Sequence, residues 1–314
     1  MIHVEQHGPV LAIRMSRSFL GRPFWWTAAY WVDGILIDAG PRCTVQELLR
    51  ALTRVAVNQI IITHAHEDHI GGLAQLRAQY PQAIVYASPR TLPLITEPAK
   101  IKMQTYRRVL WGYPQSFTDL VSLDSVNNVI KSPNFCLRAV ETPGHSADHI
   151  TFFEPNQRWA FCGDAFVSGR DDTWAPEYDM FGVISSLRTV ASLRPERLFP
   201  GDGRVSRTPL PELHEKIGQL IRLAREVAKL DAAGRTVPEM VARLFSREST
   251  LNFWTWGHFS ATHLVEACRS YNAIFSSLDD IRNTAVPAPA EADEAVDPSD
   301  SSSNWSTDWG DMLR

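Results

Sequence analysis

The sequence lacks the features that would place the protein in a membrane or outside the cell. No stretch approaches the roughly 18 uninterrupted apolar residues of a transmembrane helix. The first residues show no basic segment followed by an apolar one, so no secretory signal peptide is expected. The cysteines are scattered and form no CxxC pair; they are Cys43, Cys136, Cys162 and Cys268. We therefore expect reduced thiols, a cytoplasmic location and no membrane partner.

The chain also lacks the basic surface that nucleic acids require. Its 314 residues carry a formal net charge of −4. Residues 283–314 hold seven acids and one base, which leaves the rest of the chain near +2. Such a near-neutral body gives no reason to expect a nucleic-acid partner. A GxSxG nucleophile elbow is missing as well. We expect a small-molecule substrate, and a homodimer is left open.

The densest group of chemically active side chains follows an apolar, β-branched run at residues 60–62. Residues 60–72 read IIITHAHEDHIGG, with three histidines and two acids within six positions. The run predicts a buried strand that ends in a loop. Alternation on an extended backbone places His64, His66 and Asp68 on one side, whereas Glu67 is expected at the surface or behind the ligands. Imidazole and carboxylate at this density are typical of a site for zinc, iron or manganese.

The segment HAHEDH at residues 64–69 resembles the HxHxDH signature of the metallo-β-lactamase-fold hydrolases. The resemblance covers roughly residues 5–205 and implies an α/β fold, an αββα four-layer sandwich. It also implies two divalent metal ions, with zinc favoured. The ligand set that it carries over comprises His64, His66 and His145 for the first ion, Asp68 and His69 for the second, and Asp164 as the bridging carboxylate. By the same resemblance, Asp68 orients the nucleophile. His149 is expected behind the ligands rather than among them.

One position departs from the family pattern. The last ligand of the family is usually a histidine in a PGHG-like turn, and here the turn at residues 200–203 reads PGDG. Asp202 therefore stands where that histidine would be. An oxygen ligand favours manganese or iron over zinc at the second site. The added negative charge also reduces the acidifying effect of the ions on bound water. The alternative is a turn residue beside an empty second site.

The order of the predicted elements supports helices packed on the outside of a sheet. Residues 2–15 are interpreted as one edge strand, and residues 24–39 as a hairpin with Asp33-Gly34 at its turn. Thr44 with Glu47, and Thr236 with Glu239, have the spacing of helix capping boxes. Residues 88–118 are interpreted as a helical insertion that packs on the sheet edge, or as a lid whose Arg107-Arg108 pair meets an anionic group.

The chain is predicted to divide into three parts. Residues 1–206 form the catalytic domain and residues 207–283 a small helical subdomain. Its layout resembles the helical tails of the β-lactamase-like hydrolases related to glyoxalase II. Residues 284–314 are rich in Pro, Ala, Ser and Asp and are expected to be a disordered acidic tail. His258 and His263, in the helical part, are predicted to have structural roles.

These features predict a metal-dependent hydrolase in which a metal-bound hydroxide attacks the carbonyl of a thioester, ester or lactone. The residues 166–181 are expected to wall an apolar acyl pocket. Relatives of the fold that cut RNA make a phosphodiesterase or ribonuclease one alternative. A binding module weakened by Asp202 is a second alternative, and an iron oxidoreductase is a third. The fold alone does not choose among these chemistries.

Overall fold

The computed structural model describes residues 1–19 and 21–274, so the predicted disordered tail and the end of the predicted subdomain lie outside the described residues. The strands are β1 (Ile2–His7), β2 (Val10–Met15), β3 (Ser18–Phe19), β4 (Arg22–Pro23), β5 (Thr27–Val32), β6 (Ile35–Ile37), β7 (Gln59–Ile61), β8 (Ile84–Ala87), β9 (Val121–Ser122), β10 (Val129–Lys131), β11 (Cys136–Glu141), β12 (Ile150–Glu154), β13 (Trp159–Gly163) and β14 (Arg197–Pro200). The α-helices are α1 (Val45–Ala51), α2 (Glu67–Ile70), α3 (Leu73–Gln79), α4 (Leu92–Thr96), α5 (Thr105–Trp111), α6 (Met180–Ser192), α7 (Pro209–Ala232), α8 (Val237–Phe245), α9 (Thr250–Trp254) and α10 (Ala261–Ile274).

Two sheets carry the fold. The first has seven strands in the order β1-β2-β5-β6-β7-β8-β9, antiparallel up to β6 and parallel from β6 to β9. The second has five strands in the order β10-β11-β12-β13-β14, and only its last pair is parallel. Parallel neighbours need a crossover connection, which the helices between these strands supply.

The apolar residues form three layers of core that define a four-layer αββα sandwich. One cluster joins inward-facing residues of both sheets, including Tyr30, Ile37, Phe161 and Phe199. A second cluster lies between the first sheet and helices α1, α3 and α4. A third lies between the second sheet and helices α6, α7, α8 and α10. Each sheet therefore buries both faces, and the predicted fold class is confirmed.

The C-terminal helices share a core with the second sheet. Leu198 of β14, Leu213 of α7 and Leu264 of α10 belong to the same apolar cluster. The predicted capping box at the start of α8 is confirmed, because Thr236 and Glu239 each bond the other's backbone. The division of the chain at residue 206 stays a prediction. No helix in the described ranges combines the length and the apolar character needed to cross a membrane.

Two local predictions were wrong. Residues 2–15 form a hairpin of two strands rather than one, because Gly8 adopts a positive φ of 63° and turns the chain between β1 and β2. Thr44 makes no capping bond to α1. A short 3₁₀ turn precedes this helix, and the buried Thr44 hydroxyl has no hydrogen-bond partner among the described residues. The predicted hairpin at residues 24–39 is confirmed, with β5 and β6 paired across Asp33-Gly34.

Candidate metal centre

Loops that follow strands of both sheets bring the predicted ligands together. The loop after β7 supplies His64 and His66, and the short helix α2 that follows supplies Asp68 and His69. The loops after β11 and β13 supply the remaining residues. Potential ligand atoms form two groups, and within each group all the atoms lie within 4.8 Å of one another. The first group is His64, His66, His145 and Asp164, and the second is Asp68, His69 and Asp164. Asp164 belongs to both groups, which is the arrangement that a carboxylate shared between two cations requires.

The distances inside the centre are short. His66 Nδ1 lies 2.8 Å from His145 Nε2. The Asp164 carboxylate lies 3.3 Å from His145 Nε2 through Oδ2 and 3.4 Å from His69 Nε2 through Oδ1. Asp68 Oδ2 lies 3.6 Å from His69 Nε2. The facing atoms are all potential metal ligands, so the described side chains converge on a common point.

Hydrogen bonds behind the centre fix which nitrogen each ring presents. Asp38 accepts a bond from His69 Nδ1 at 2.7 Å. Thr63 Oγ1 donates to the same carboxylate and accepts from His64 Nδ1 at 3.0 Å. A neutral imidazole whose Nδ1 donates has its lone pair on Nε2. The Nε2 atoms of His64 and His69 are buried and have no hydrogen-bond partner among the described residues. Such orphaned acceptors fit a bound cation.

Asp38 was not predicted as a site residue, although the sequence places it at the end of a buried strand. Its side chain is buried and accepts bonds from the backbone N–H and hydroxyl of Thr63 and from His69. Its backbone has a positive φ of 63°, a conformation that Asp and Asn tolerate better than most residues. The sequence signal that could have identified Asp38 is an acid in an Asp-Ala-Gly turn, directly after a buried strand. Asp38 acts on the centre through His69.

The Asp38→Asn variant is expected to bind metal about 10-fold more weakly, the lower end of the loss typical for partners that orient a ligand. Asparagine tolerates the positive φ but removes the charge that holds the His69 ring. Metal affinity measured by competition with a chelating dye would test this. Asp33→Asn is the matched control, because Asp33 also has a positive φ, of 48°, and binds Ser132 and Asn134. Equal affinities in the two variants would contradict the assignment.

His149 positions Asp164 from behind, as the sequence indicated. Its Nε2 accepts a bond from the backbone N–H of Asp164 at 3.1 Å. Its Nδ1 therefore carries the proton and donates to Thr142 Oγ1 at 2.9 Å. Burial lowers the pKa of His149 to about 3, so the ring stays neutral. Both nitrogens are occupied, and neither is free to bind a cation.

Asp202 lines the same cavity as the ligand groups but belongs to neither of them. Its Oδ2 accepts a bond from Ser168 Oγ at 2.5 Å, and its Oδ1 accepts from the backbone N–H of Arg204 at 3.0 Å. Both carboxylate oxygens therefore have protein partners. The role of Asp202 as a ligand stays a prediction.

Burial and charge set the protonation of the centre. Burial lowers the pKa of His64 well below its usual value, and the imidazoles of His69 and His66 add to this. Burial lowers the pKa of His145 to about 4 and raises that of Asp68 to about 6. Burial alone would also lower the pKa of His69, but neighbouring carboxylates, with Asp164 first, outweigh it and raise the pKa. The carboxylates thus make the electrostatic potential around His69 negative, which favours a cation there.

A buried ion pair connects the ligand loop to the insertion at residues 88–118. Glu67 is completely buried, and its Oε1 accepts a bond from Arg107 Nε of α5 at 2.5 Å. Of the two positions expected for Glu67, the surface was therefore wrong, and a buried position behind the ligands is observed. Arg107 Nη1 also lies 3.9 Å from Glu177, which in turn contacts His258 at 2.9 Å. The sequence suggested an anionic group for the arginine pair, and for Arg107 the protein supplies that group itself. Arg108 instead lies over the ring of Tyr113.

The ligand groups lie beside an aromatic cavity of about 280 Å³. Four parts of the chain supply the aromatic members of its wall, which are Trp25, Trp26, Tyr106, Trp111, Trp174, Tyr178 and Phe259. The insertion packs into the core through Ile95 of α4 and lines the cavity through α5, whereas its role as a lid stays a prediction. Within residues 166–181, Trp174 and Tyr178 line the cavity, but Met180 is buried in the core.

A two-sheet sandwich with a histidine and aspartate cluster at its strand ends defines a class of metal-binding α/β protein. The model of the "Metallo-beta-lactamase superfamily" matches residues 27–202, more than half of the chain. The protein belongs to this superfamily. Most members of the superfamily are metallo-hydrolases. The resemblance noted in the sequence is confirmed.

Curated relatives include proteins named as hydrolases. The chain is 24% identical to the Beta-lactamase-like protein 2 homolog of Drosophila melanogaster, over 73% of this chain and 76% of that protein. It is 32% identical to a Hydroxyacylglutathione hydrolase of Tolumonas auensis, over 44% of each chain. It is 30% identical to Thioesterase pkgB of Emericella nidulans, over 48% of this chain and 35% of the relative. The aligned segment thus spans under half of the last two proteins.

A solved structure supports the fold. The chain matches a beta-lactamase domain protein from Burkholderia ambifaria with a TM-score of 0.64 and 16% identity. The match covers 87% of this chain and 88% of that one. At this identity the similarity shows the shared fold of the two chains.

Proposed function

We propose that the protein is a metal-dependent hydrolase of acyl thioesters, with esters and lactones as chemically related substrates. The observation that carries this proposal is the convergence of imidazoles and carboxylates beside an aromatic cavity. Two relatives named Hydroxyacylglutathione hydrolase and Thioesterase support the thioester class. The cavity offers mainly aromatic and aliphatic side chains around the ligands, which suits an acyl chain.

The residues present fit a divalent metal. Three imidazoles and one carboxylate form a donor set that zinc prefers, and the orphaned Nε2 atoms of His64 and His69 point to unmet coordination. We propose that His64, His66 and His145 hold the first ion. Asp68 and His69 would hold a second ion, and Asp164 would contribute to both sites. We keep Asp202 as a further ligand of the second ion, where its oxygen would favour manganese or iron.

When bound, the metals polarise the substrate carbonyl and make water more acidic. The protein residues supply the rest of the chemistry. Asp68 would orient the attacking water and accept its proton, because its carboxylate lies among the ligand atoms and is an acceptor of hydrogen bonds. Tyr178 packs against His145 with ring centroids 4.5 Å apart and closes the cavity beside it.

Two of the three alternative functions can be compared with the structure of the site. A phosphodiesterase of the same fold would need a basic surface for its substrate, and the arginine nearest the ligand loop is already paired with Glu67. A weakened binding module would need a defective second site. The hydrogen bonds that Asp202 accepts from Ser168 and Arg204 favour this alternative, because they occupy both oxygens of its carboxylate.

One experiment separates these functions. The purified protein and its Asp202→His variant are analysed for bound metal. Both are then assayed on an acyl thioester, a lactone and a phosphodiester with added zinc, manganese or iron. We expect thioester turnover by the natural protein that is lost with a chelator and restored by metal. Asp202→His should bind the second ion more tightly if Asp202 is a ligand.

The outcomes point in different directions. Phosphodiester turnover without thioester turnover would overturn the proposed substrate class. Turnover that appears only in the histidine variant would show that the natural protein lacks a working second site. Two zinc ions retained by the natural protein through extensive dialysis would contradict a second site that favours manganese or iron over zinc.

A further inference from the structure

A buried lysine lies in the wall of the same cavity. Lys216 belongs to α7, and only 6% of its side chain is exposed. Its Nζ donates to Asp171 Oδ2 at 2.9 Å. Both residues line the cavity that also contains His66 and Asp68. A single ligand in this cavity can therefore reach the ligand groups and the lysine ammonium.

The ammonium has more hydrogen-bonding capacity than the protein uses. A protonated lysine has three donors, and Asp171 is the one partner of this group within residues 1–19 and 21–274. The apolar side chains of Val167, Val183 and Leu187 line the same cavity. A paired charge in such a wall is often no more stabilising than an apolar side chain of similar volume. Packing alone therefore gives no reason for a lysine here.

The pair of charges selects the kind of group that can bind to it. Asp171 already balances the charge of Lys216, so a carboxylate from a ligand would add an unbalanced negative charge beside Asp171. Lys216 is buried and 26% of the Asp171 side chain is exposed; the partial burial of Asp171 outweighs the lysine and raises the pKa of this carboxyl. A hydroxyl can accept a bond from Nζ and donate one to the carboxylate at the same time. It satisfies both partners without adding charge.

We propose that Lys216 and Asp171 form a subsite for a hydroxyl group on the acyl chain of the substrate, distant from the scissile carbonyl. The aliphatic segment between the two groups would contact Val183 and Leu187 of α6. This inference rests on the proposed thioester hydrolase function and narrows it to hydroxylated, medium-length acyl chains. It assigns no role in bond cleavage to the pair.

The test compares hydroxylated and plain chains of equal length. Binding of ω-hydroxy acids of six, eight and ten carbons, and of the matching alkanoic acids, is measured by calorimetry on the full-length protein. The same pairs are then assayed as thioesters for kcat/KM. For at least one chain length we expect about a 10-fold preference for the hydroxylated ligand, as one hydrogen bond to a charged group can provide.

Three variants make the test specific. Lys216→Met should bring the two affinities within about twofold of each other, because it removes the charged donor. The double variant Lys216→Met with Asp171→Asn guards against misfolding from an unpaired buried carboxylate. Lys229→Met is the matched control, since Lys229 pairs with Glu226 on the exposed side of the same helix.

Binding and hydrolysis report on different claims. Equal affinities for hydroxylated and plain acids in the natural protein, at every chain length, would overturn the subsite even if thioesters are hydrolysed. A binding preference that Lys216→Met abolishes would support the subsite even if no thioester is hydrolysed. In that case only the proposed reaction would be wrong.

Discussion

Replacing His66 with alanine is expected to lower kcat/KM by more than about 100-fold, since removing a residue that only orients a metal ligand already costs ~10–100-fold. His66 Nδ1 lies 2.8 Å from His145 Nε2 within the first group of ligand atoms. Loss of this nitrogen leaves three members of the group and opens space beside Asp164. Elemental analysis should show less metal per chain, and added zinc should restore little activity.

The matched control is His3→Ala, which removes an exposed imidazole from the edge strand β1. This variant should keep the metal content and activity of the natural protein. Full activity in His66→Ala, at unchanged metal content, would contradict the assignment of the first site. Lost activity at unchanged metal content would instead make His66 a group that contacts substrate.

The second large effect concerns the buried ion pair behind the ligand loop. Replacing Arg107 with methionine is expected to destabilise the protein by about 3–5 kcal/mol, the usual cost of leaving one buried charge without its partner. Glu67 is completely buried, and Arg107 Nε is its hydrogen-bond partner at 2.5 Å. Methionine fills a similar volume but provides no charge. The change should appear as a lower denaturant midpoint in unfolding followed by circular dichroism.

Two further variants distinguish the ion pair from general damage to α5. Arg108→Met should cost no more than about 1 kcal/mol, because Arg108 is exposed and only lies over the ring of Tyr113. The double variant Arg107→Met with Glu67→Leu should recover most of the lost stability, since no unpaired charge remains. Similar midpoints for the Arg107 and Arg108 single variants would show that the buried pair adds nothing.

The parts of the centre that could be predicted are those encoded locally. His64, His66, Asp68 and His69 lie within six positions after a buried strand, so their grouping follows from chain continuity. The turn dipeptide Asp33-Gly34 fixes its hairpin by backbone conformation, and both residues have positive φ. Such features depend on a few neighbouring residues, so they can be predicted from a short stretch of sequence.

The features that escaped prediction depend on contacts between distant segments. Glu67 was expected at the surface or behind the ligands because strand alternation was extended into a region where α2 begins. Its partner Arg107 lies 40 positions later, on a helix that local sequence gives no reason to place there. Asp38 binds His69 from 31 positions earlier in the chain, and local sequence does not predict this contact either. Pairings of this kind are set by the packing of the whole sandwich.

The walls of the cavity and the metal ligands come from different stretches of chain. The ligands follow β7, β11 and β13, whereas Trp25, Trp111 and Phe259 belong to segments that supply no ligand. Mutation can therefore reshape the space for the substrate while leaving the cation chemistry intact. In laboratory evolution, libraries confined to the cavity-lining residues Trp25, Trp26, Tyr106, Trp111 and Phe259 should change substrate range and retain metal loading. The fold thus places the metal ligands and the residues that contact the substrate on separate segments, so that selection can change substrate specificity without changing the reaction.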